Sequence, residues 1–324
     1  MKRQTQFDHS VRVDDVMFKS PILLASGTAG HADELDPYVP LREIGAIVVK
    51  SMSSFEWAGN KAPRLRPTST GMLNAVGLQG MGVAHWIEHD LPRLKKVGAT
   101  IVASIWGFSI DDYQSAATLL SEVSADLAAV EINLSCPNIG SSSNSANSRH
   151  GIFAHDENLS AEIVRAGAVA KTPLWAKLSP NTDRVVDVAS AVEEAGCKAV
   201  TLINTALGLA IDVESGLPGL GNGGGGLSGN GIHPIAVRTI FDVRTRLPRL
   251  PIIGVGGISR GEDAVEMMMA GASCVQVGTA TFADPRAALR IDLEMRQWAS
   301  RHGVNNWSEV VNAAHKGGLA TKQR

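Results

Sequence analysis

Residues 251–277 read Pro251-Ile-Ile-Gly-Val-Gly-Gly-Ile-Ser-Arg260-Gly-Glu-Asp-Ala-Val-Glu-Met-Met-Met-Ala270-Gly-Ala-Ser-Cys-Val-Gln-Val277. An apolar run (251–255) breaks at a glycine pair, a helix-forming stretch (262–270) stops at Gly271, and a second apolar run follows (274–277). Runs that are continuously apolar, with a helix between them, are the pattern of parallel strands covered on both faces and joined by a crossover. The unit recurs upstream, with strands expected at 22–26, 46–50, 100–105, 129–134, 174–178 and 199–204. Between the last two, 183–195 places Val185, Val186, Ala189, Val192 and Ala195 near one helical face before Gly196. Eight such units without a composition break or linker predict a single α/β domain over 1–324, a (β/α)8 TIM barrel with its site at the C-terminal strand ends. A doubly wound sheet is the alternative.

Composition narrows the function. The 30 basic and 32 acidic residues are spread without long runs and nearly cancel, so no electrostatic footprint for nucleic acid or an anionic membrane is present. No stretch approaches the ~20 apolar residues of a bilayer span. Cys136, Cys197 and Cys274 are odd in number and far apart, which fits neither a disulfide framework nor a zinc site. A soluble, cytoplasmic protein is expected. Cys197 and Cys274 stand beside strand starts and read as small core residues, and Met267 to Met269 as helix packing. His85, His89, His150 and His155 show no metal spacing with carboxylates, so no metal is expected.

The strand ends carry the chemistry. At or just past them stand Ser26-Gly27, Lys50-Ser51, Ser104, Asn133 with Cys136, Lys177, Asn204-Thr205, Gly256-Gly257 and Gly278-Thr279. Burying such groups unpaired costs roughly 1–3 kcal/mol each, so their convergence on a ligand explains them together. The glycines after the last two strands let backbone N–H groups approach an anion, as phosphate loops of barrels do. The cluster Gly223 to Gly226, with Leu227-Ser228-Gly229 after it, reads either as a flexible linker or as a further reach toward that phosphate. Lys50 and Lys177 at the mouth can pair with a carboxylate or stabilise negative charge on an electron-accepting ring.

These residues resemble the dihydroorotate dehydrogenases, in particular the cysteine-dependent class 1 and within it the class 1B catalytic subunit. The resemblance covers most of the chain and rests on Ala25-Ser26-Gly27, Val49-Lys50-Ser51, Asn74-Ala75-Val76-Gly77-Leu78, Asn133-Leu134-Ser135-Cys136-Pro137-Asn138, Lys177, Asn204-Thr205, Gly226-Leu227-Ser228-Gly229, Gly256-Gly257 and Gly278-Thr279, in that order. It implies FMN, with the phosphate on Gly256, Gly257, Gly278 and Thr279 and with Gly229 nearby. Ser26, Lys50, Ser51, Ser104, Asn133, Lys177 and Ile203 match positions along the flavin ring and ribityl chain, although relatives often carry asparagine where this chain has Ser104. Lys50, Asn74, Ala75, Val76, Gly77, Leu78, Asn133, Asn204 and Thr205 match positions that hold the pyrimidine. The implied reaction, part of de novo pyrimidine (UMP) biosynthesis, oxidises dihydroorotate to orotate: Cys136 removes a proton from C5 while hydride leaves C6 for flavin N5.

The resemblance also implies a homodimeric core and, for the class 1B type, a separate FAD and iron–sulfur subunit that passes electrons to NAD. Fumarate is the acceptor in the other class 1 branch. Residues 137–155, rich in serine and asparagine, are expected to form a mobile lid; a disordered insertion is the alternative. Two competing functions remain: a flavin-dependent dihydropyrimidine reductase or dehydrogenase with a neutral substrate, and a flavin-binding subunit that relays electrons without substrate chemistry. Lys50 argues against the first, because a neutral pyrimidine needs no cation. Cys136 together with Asn74, Asn133 and Asn204 argues against the second.

Overall fold

The computed structural model describes residues 7–135 and 153–319. Eight parallel strands close into one barrel: β1 (Ile22–Leu24), β2 (Ala46–Val48), β3 (Ile101–Ile105), β4 (Ala129–Asn133), β5 (Leu174–Lys177), β6 (Ala199–Leu202), β7 (Ile252–Val255) and β8 (Cys274–Val277). Closure sets Val275 opposite Ile22 and Val277 opposite Leu24. Each expected run is a strand, and the closed barrel excludes the doubly wound alternative. Several strands stop before the polar residues assigned to them. Lys50, for example, gives its N–H to the carbonyl of Gly30 at 3.0 Å, outside the barrel ladder, so the chain is already turning into the mouth there.

The helices form where apolar spacing and caps agree. Helix Val185–Glu194 buries Val188, Ala189 and Val192, and helix Gly261–Ala270 buries Ala264, Met267 and Met268 before ending at Gly271. Helix Ile110–Leu120 starts at a capping box, Ser109 with Asp112, and buries Tyr113, which later matters to the site. At the other end of the molecule a hairpin, Val11–Val13 with Val16–Phe18, sets the Phe18 ring edge-on to Trp175 at 5.9 Å.

A second sheet stands apart from the barrel. Its four antiparallel strands run in the order Ala206–Gly208, Gly225–Ser228, Gly71–Asn74, Leu65–Thr68. It has a small core of its own, Leu73, Ala75 and Leu220. The glycine-rich stretch read as a linker or phosphate loop is therefore partly a strand, and Gly226 pairs with Asn74 across the sheet.

Candidate active site

A cavity of about 520 Å³ opens at the C-terminal ends of the strands, between the barrel and this second sheet. On one side lie Gly256 and Gly257 after β7, Gly278 and Thr279 after β8, and Gly229 after the sheet strand Gly225–Ser228. The two glycines after β7 have φ of +139° and +70°, and space as well as backbone demands them. A Cβ on Gly256 would sit 2.8 Å from that of Ala236, and one on Gly257 would sit 2.7 Å from the Cβ of His233 and 3.0 Å from the carbonyl of Gly229. A backbone cradle that no side chain could enter fits a phosphate-bearing group.

Across the cavity stands a crown of polar side chains whose hydrogen bonds fix what each can offer. Asn133, at the end of β4, donates from Nδ2 to Ser51 Oγ at 3.0 Å, and its Oδ1 accepts from Ser135 N at 3.2 Å and Ser135 Oγ at 3.0 Å. Its carbonyl accepts the Tyr113 hydroxyl at 2.8 Å. With both Oδ1 lone pairs engaged, Asn133 can present only its second N–H to a ligand. Asn204, beyond β6, is oriented the other way: Nδ2 donates to Ser135 Oγ at 2.9 Å and to the Ser135 carbonyl at 3.2 Å, leaving Oδ1 as the acceptor. These orientations follow from the network. Asn74 donates to the Gly226 carbonyl at 3.3 Å.

The structure brings most of the expected residues to this one cavity: Ser26, Lys50 and Ser51, Asn74 and Val76 to Leu78, and Asn133, Lys177, Ile203, Asn204 and Thr205 all line it. Two do not. Ser104 is fully buried behind Ser51, its Oγ 2.8 Å from that of Ser51, so it supports the wall and does not line the cavity. Ala75 is buried in the small core of the second sheet, and its N–H and carbonyl are taken by Arg64 and Asn60. Cys136 and most of the expected lid, together with His150, lie outside the described residues; 153–155 form a single 3-10 turn.

Sequence reasoning missed Asn181, which donates to the Thr205 carbonyl at 3.1 Å and to Ser179 Oγ at 2.9 Å, bracing the loop after β6. Ser179-Pro180-Asn181 after a strand was the available signal. It also missed Met72 of the second sheet, Thr70 in the turn that precedes that strand, and Arg290, all at the cavity.

Electrostatics separates the cysteines. Burial pushes the Cys197 thiol up to about 12 and raises that of Cys274 as well, so both are inert core residues. Beside the mouth, burial first and the positive charge of Lys50 second hold His31 below its ordinary value. His85 and His89 stack with ring centroids 4.2 Å apart, and among the described residues no group of three or more potential ligands could hold a metal ion. No helix among them is long and apolar enough to cross a membrane.

Comparison with known proteins agrees with this geometry. The dihydroorotate dehydrogenase family matches residues 9–298. The chain is 41% identical over 309 residues to the "Dihydroorotate dehydrogenase B (NAD(+)), catalytic subunit" of Geobacter sp. (strain M21), covering 94% of this chain and 98% of the relative. It is 38% identical over 307 residues to the protein of that name from Bacteroides thetaiotaomicron, with 94% and 98% covered. A Solibacter usitatus protein provisionally named dihydroorotate dehydrogenase A (fumarate) is 41% identical over 299 residues, with 91% and 95% covered. The crystal structure of DHODH in complex with ferulenol from Eimeria tenella superposes with a TM-score of 0.77 at 21% identity, over 98% of this chain and 91% of that one, and shares the fold. With a matching barrel, a glycine cradle and an asparagine crown at its mouth, this chain belongs to the dihydroorotate dehydrogenase family.

Proposed function

We propose that this protein is an FMN-dependent enzyme that oxidises dihydroorotate to orotate in pyrimidine biosynthesis, with Cys136 as the base. The observation that carries the reading is that a glycine cradle without room for side chains and a crown of Lys50, Asn74, Asn133 and Asn204 line the same cavity. Gly256, Gly257, Gly278 and Thr279 would hold the FMN phosphate, and Ser26, Ser51, Lys177 and Ile203 would lie along its ring and ribityl chain. The bound flavin supplies the two-electron acceptor. The chain's own residues do the rest. Asn133 presents a donor and Asn204 an acceptor, which suits the alternating N–H and C=O edge of a pyrimidinedione. Lys50 provides the cation for the substrate carboxylate, which favours dihydroorotate over a neutral dihydropyrimidine. Cys136, next in sequence to the fully buried Ser135, removes the C5 proton.

In this reading 1–324 is one barrel domain and the protein works in the cytoplasm. Two copies pair as a homodimer, for which the exposed apolar side chains Leu209, Ile211, Val213 and Leu217 provide a surface. Electrons leave through a separate subunit carrying FAD and an iron–sulfur cluster, a reading supported by the relatives named as a catalytic subunit. The similarity to relatives named for NAD and for fumarate is nearly equal, so the acceptor is to be read directly. Purified protein should release FMN on denaturation and form orotate from dihydroorotate with a dye acceptor. Fumarate should fail to replace the dye, whereas NAD should replace it once the partner subunit is added. Release of a different flavin, or turnover with fumarate alone, would contradict the respective part.

A further inference from the structure

The barrel interior beneath the cavity holds a buried carboxylate, Glu131, to which the proposed reaction gives no role. Glu131, Thr201 and Gln276 come from β4, β6 and β8, alternate strands whose inward side chains share a layer, and all three are fully enclosed. Glu131 Oε2 accepts from Thr201 Oγ1 at 2.9 Å and from Gln276 Nε2 at 3.1 Å. The other oxygen, Oε1, accepts no hydrogen bond; facing it at 3.8 Å is the ammonium of Lys177. A carboxylate this deep persists only where its charge is compensated. At that separation the attraction is strong but no hydrogen bond forms, so the N–H donors of Lys177 stay available to the cavity that its side chain lines.

We propose that Glu131 is a positioning residue for Lys177. Thr201 and Gln276 fix the carboxylate, the carboxylate fixes the ammonium at the cavity wall, and the balance of the two charges sets how strongly that wall favours added electron density on a flavin ring bound in the cavity. The proposal rests on the FMN reading given above. A pair that merely plugged the barrel would affect folding and leave the flavin's electronics alone.

The test is the midpoint potential of the bound flavin, measured by equilibrium reduction against a reference dye in the wild type, Glu131→Gln, Lys177→Met and the double variant. Glu131→Gln leaves the cation without its counter-charge and should shift the potential upward. Lys177→Met should shift it downward. In the Lys177→Met background there is no ammonium left to position, so adding Glu131→Gln should produce a smaller shift or none. An unmoved potential in Glu131→Gln, or the same shift in both backgrounds, would overturn the proposal. If Glu131→Gln does not fold, Gln276→Leu keeps the test. It removes one of the two hydrogen bonds to the carboxylate, together with an unpartnered amide oxygen, and leaves both charges in place. It should lower the potential by a smaller amount, since the less-bonded carboxylate bears more fully on Lys177, and an unchanged value would overturn the proposal. A colourless wild type would overturn the FMN reading and this one with it, whereas a yellow wild type with insensitive variants would overturn this one alone.

Discussion

Asn133 enters the cavity as a donor and Asn204 as an acceptor because Ser135 engages the opposite end of each amide. Asn204→Ala should therefore remove one substrate contact and also release Ser135. The loss of a buried polar partnership, about 1–3 kcal/mol, corresponds to a fall of about 5- to 150-fold in kcat/KM, carried mainly by KM. Steady-state kinetics across substrate concentration checks this. Cys136→Ala should act differently, slowing flavin reduction by dihydroorotate about 10²- to 10⁴-fold, the usual worth of a general base, while the protein stays yellow. Stopped-flow reduction with an unchanged rate would remove Cys136 from the mechanism. The residue types of this site were legible in the sequence because strand ends of a barrel share one mouth. Depth was not legible. Ser104 sits at a strand end as expected yet lies behind Ser51, since sequence position says where a strand stops and not which side-chain layer meets the cavity. Glu131 is the converse case, a carboxylate inside an apolar strand whose partners on β6 and β8 lie 70 and 145 residues away.

The second sheet shows the same contrast between local and distant information. The eight barrel strands were readable because each is a continuous apolar run whose neighbour follows it in the chain. The sheet beside the mouth was not, because two of its strands carry Pro67 or a glycine pair and the sheet joins segments some 150 residues apart, as with Gly226 and Asn74. It packs closely against residues that line the cavity. A Cβ on Gly226 would lie 2.1 Å from Thr205 Oγ1 and 2.6 Å from Thr205 Cβ. Gly226→Ala should thus displace Thr205, raise KM for dihydroorotate and leave the flavin content near that of wild type, because the cradle after β7 and β8 is untouched. Flavin content from the absorbance ratio, measured beside KM, separates the two effects; loss of flavin with unchanged KM would contradict the assignment.

At the scale of the whole molecule, the N-terminal segment is tied to the last helix, Ala287–His302, by a buried polar cluster. Trp307 Nε1 donates to His9 Nδ1 at 3.2 Å, which makes Nε2 the protonated nitrogen, and Nε2 donates to Asp292 Oδ1 at 2.6 Å. Burial alone would raise the Asp292 carboxyl, but hydrogen bonds from His9, Arg296 and Ser20 outweigh it and hold the value at about 2. A carboxyl whose folded pKa lies below its unfolded ~3.9 stabilises the fold above that value, and the contribution of ~2 kcal/mol fades as pH falls from about 4 towards about 2. Asp292→Asn should lower stability at neutral pH by about that amount and flatten its decline across this window. Urea melts at neutral and acid pH check it, and an unchanged slope would assign the acid sensitivity elsewhere. The central claim concerns the cavity, where cradle and crown are held together by the closed barrel. Its most direct test is anaerobic mixing of the purified yellow protein with dihydroorotate while the visible flavin absorbance is followed. Prompt bleaching with release of orotate is the predicted result, and a spectrum that persists with dihydroorotate yet bleaches with a neutral dihydropyrimidine would contradict the account.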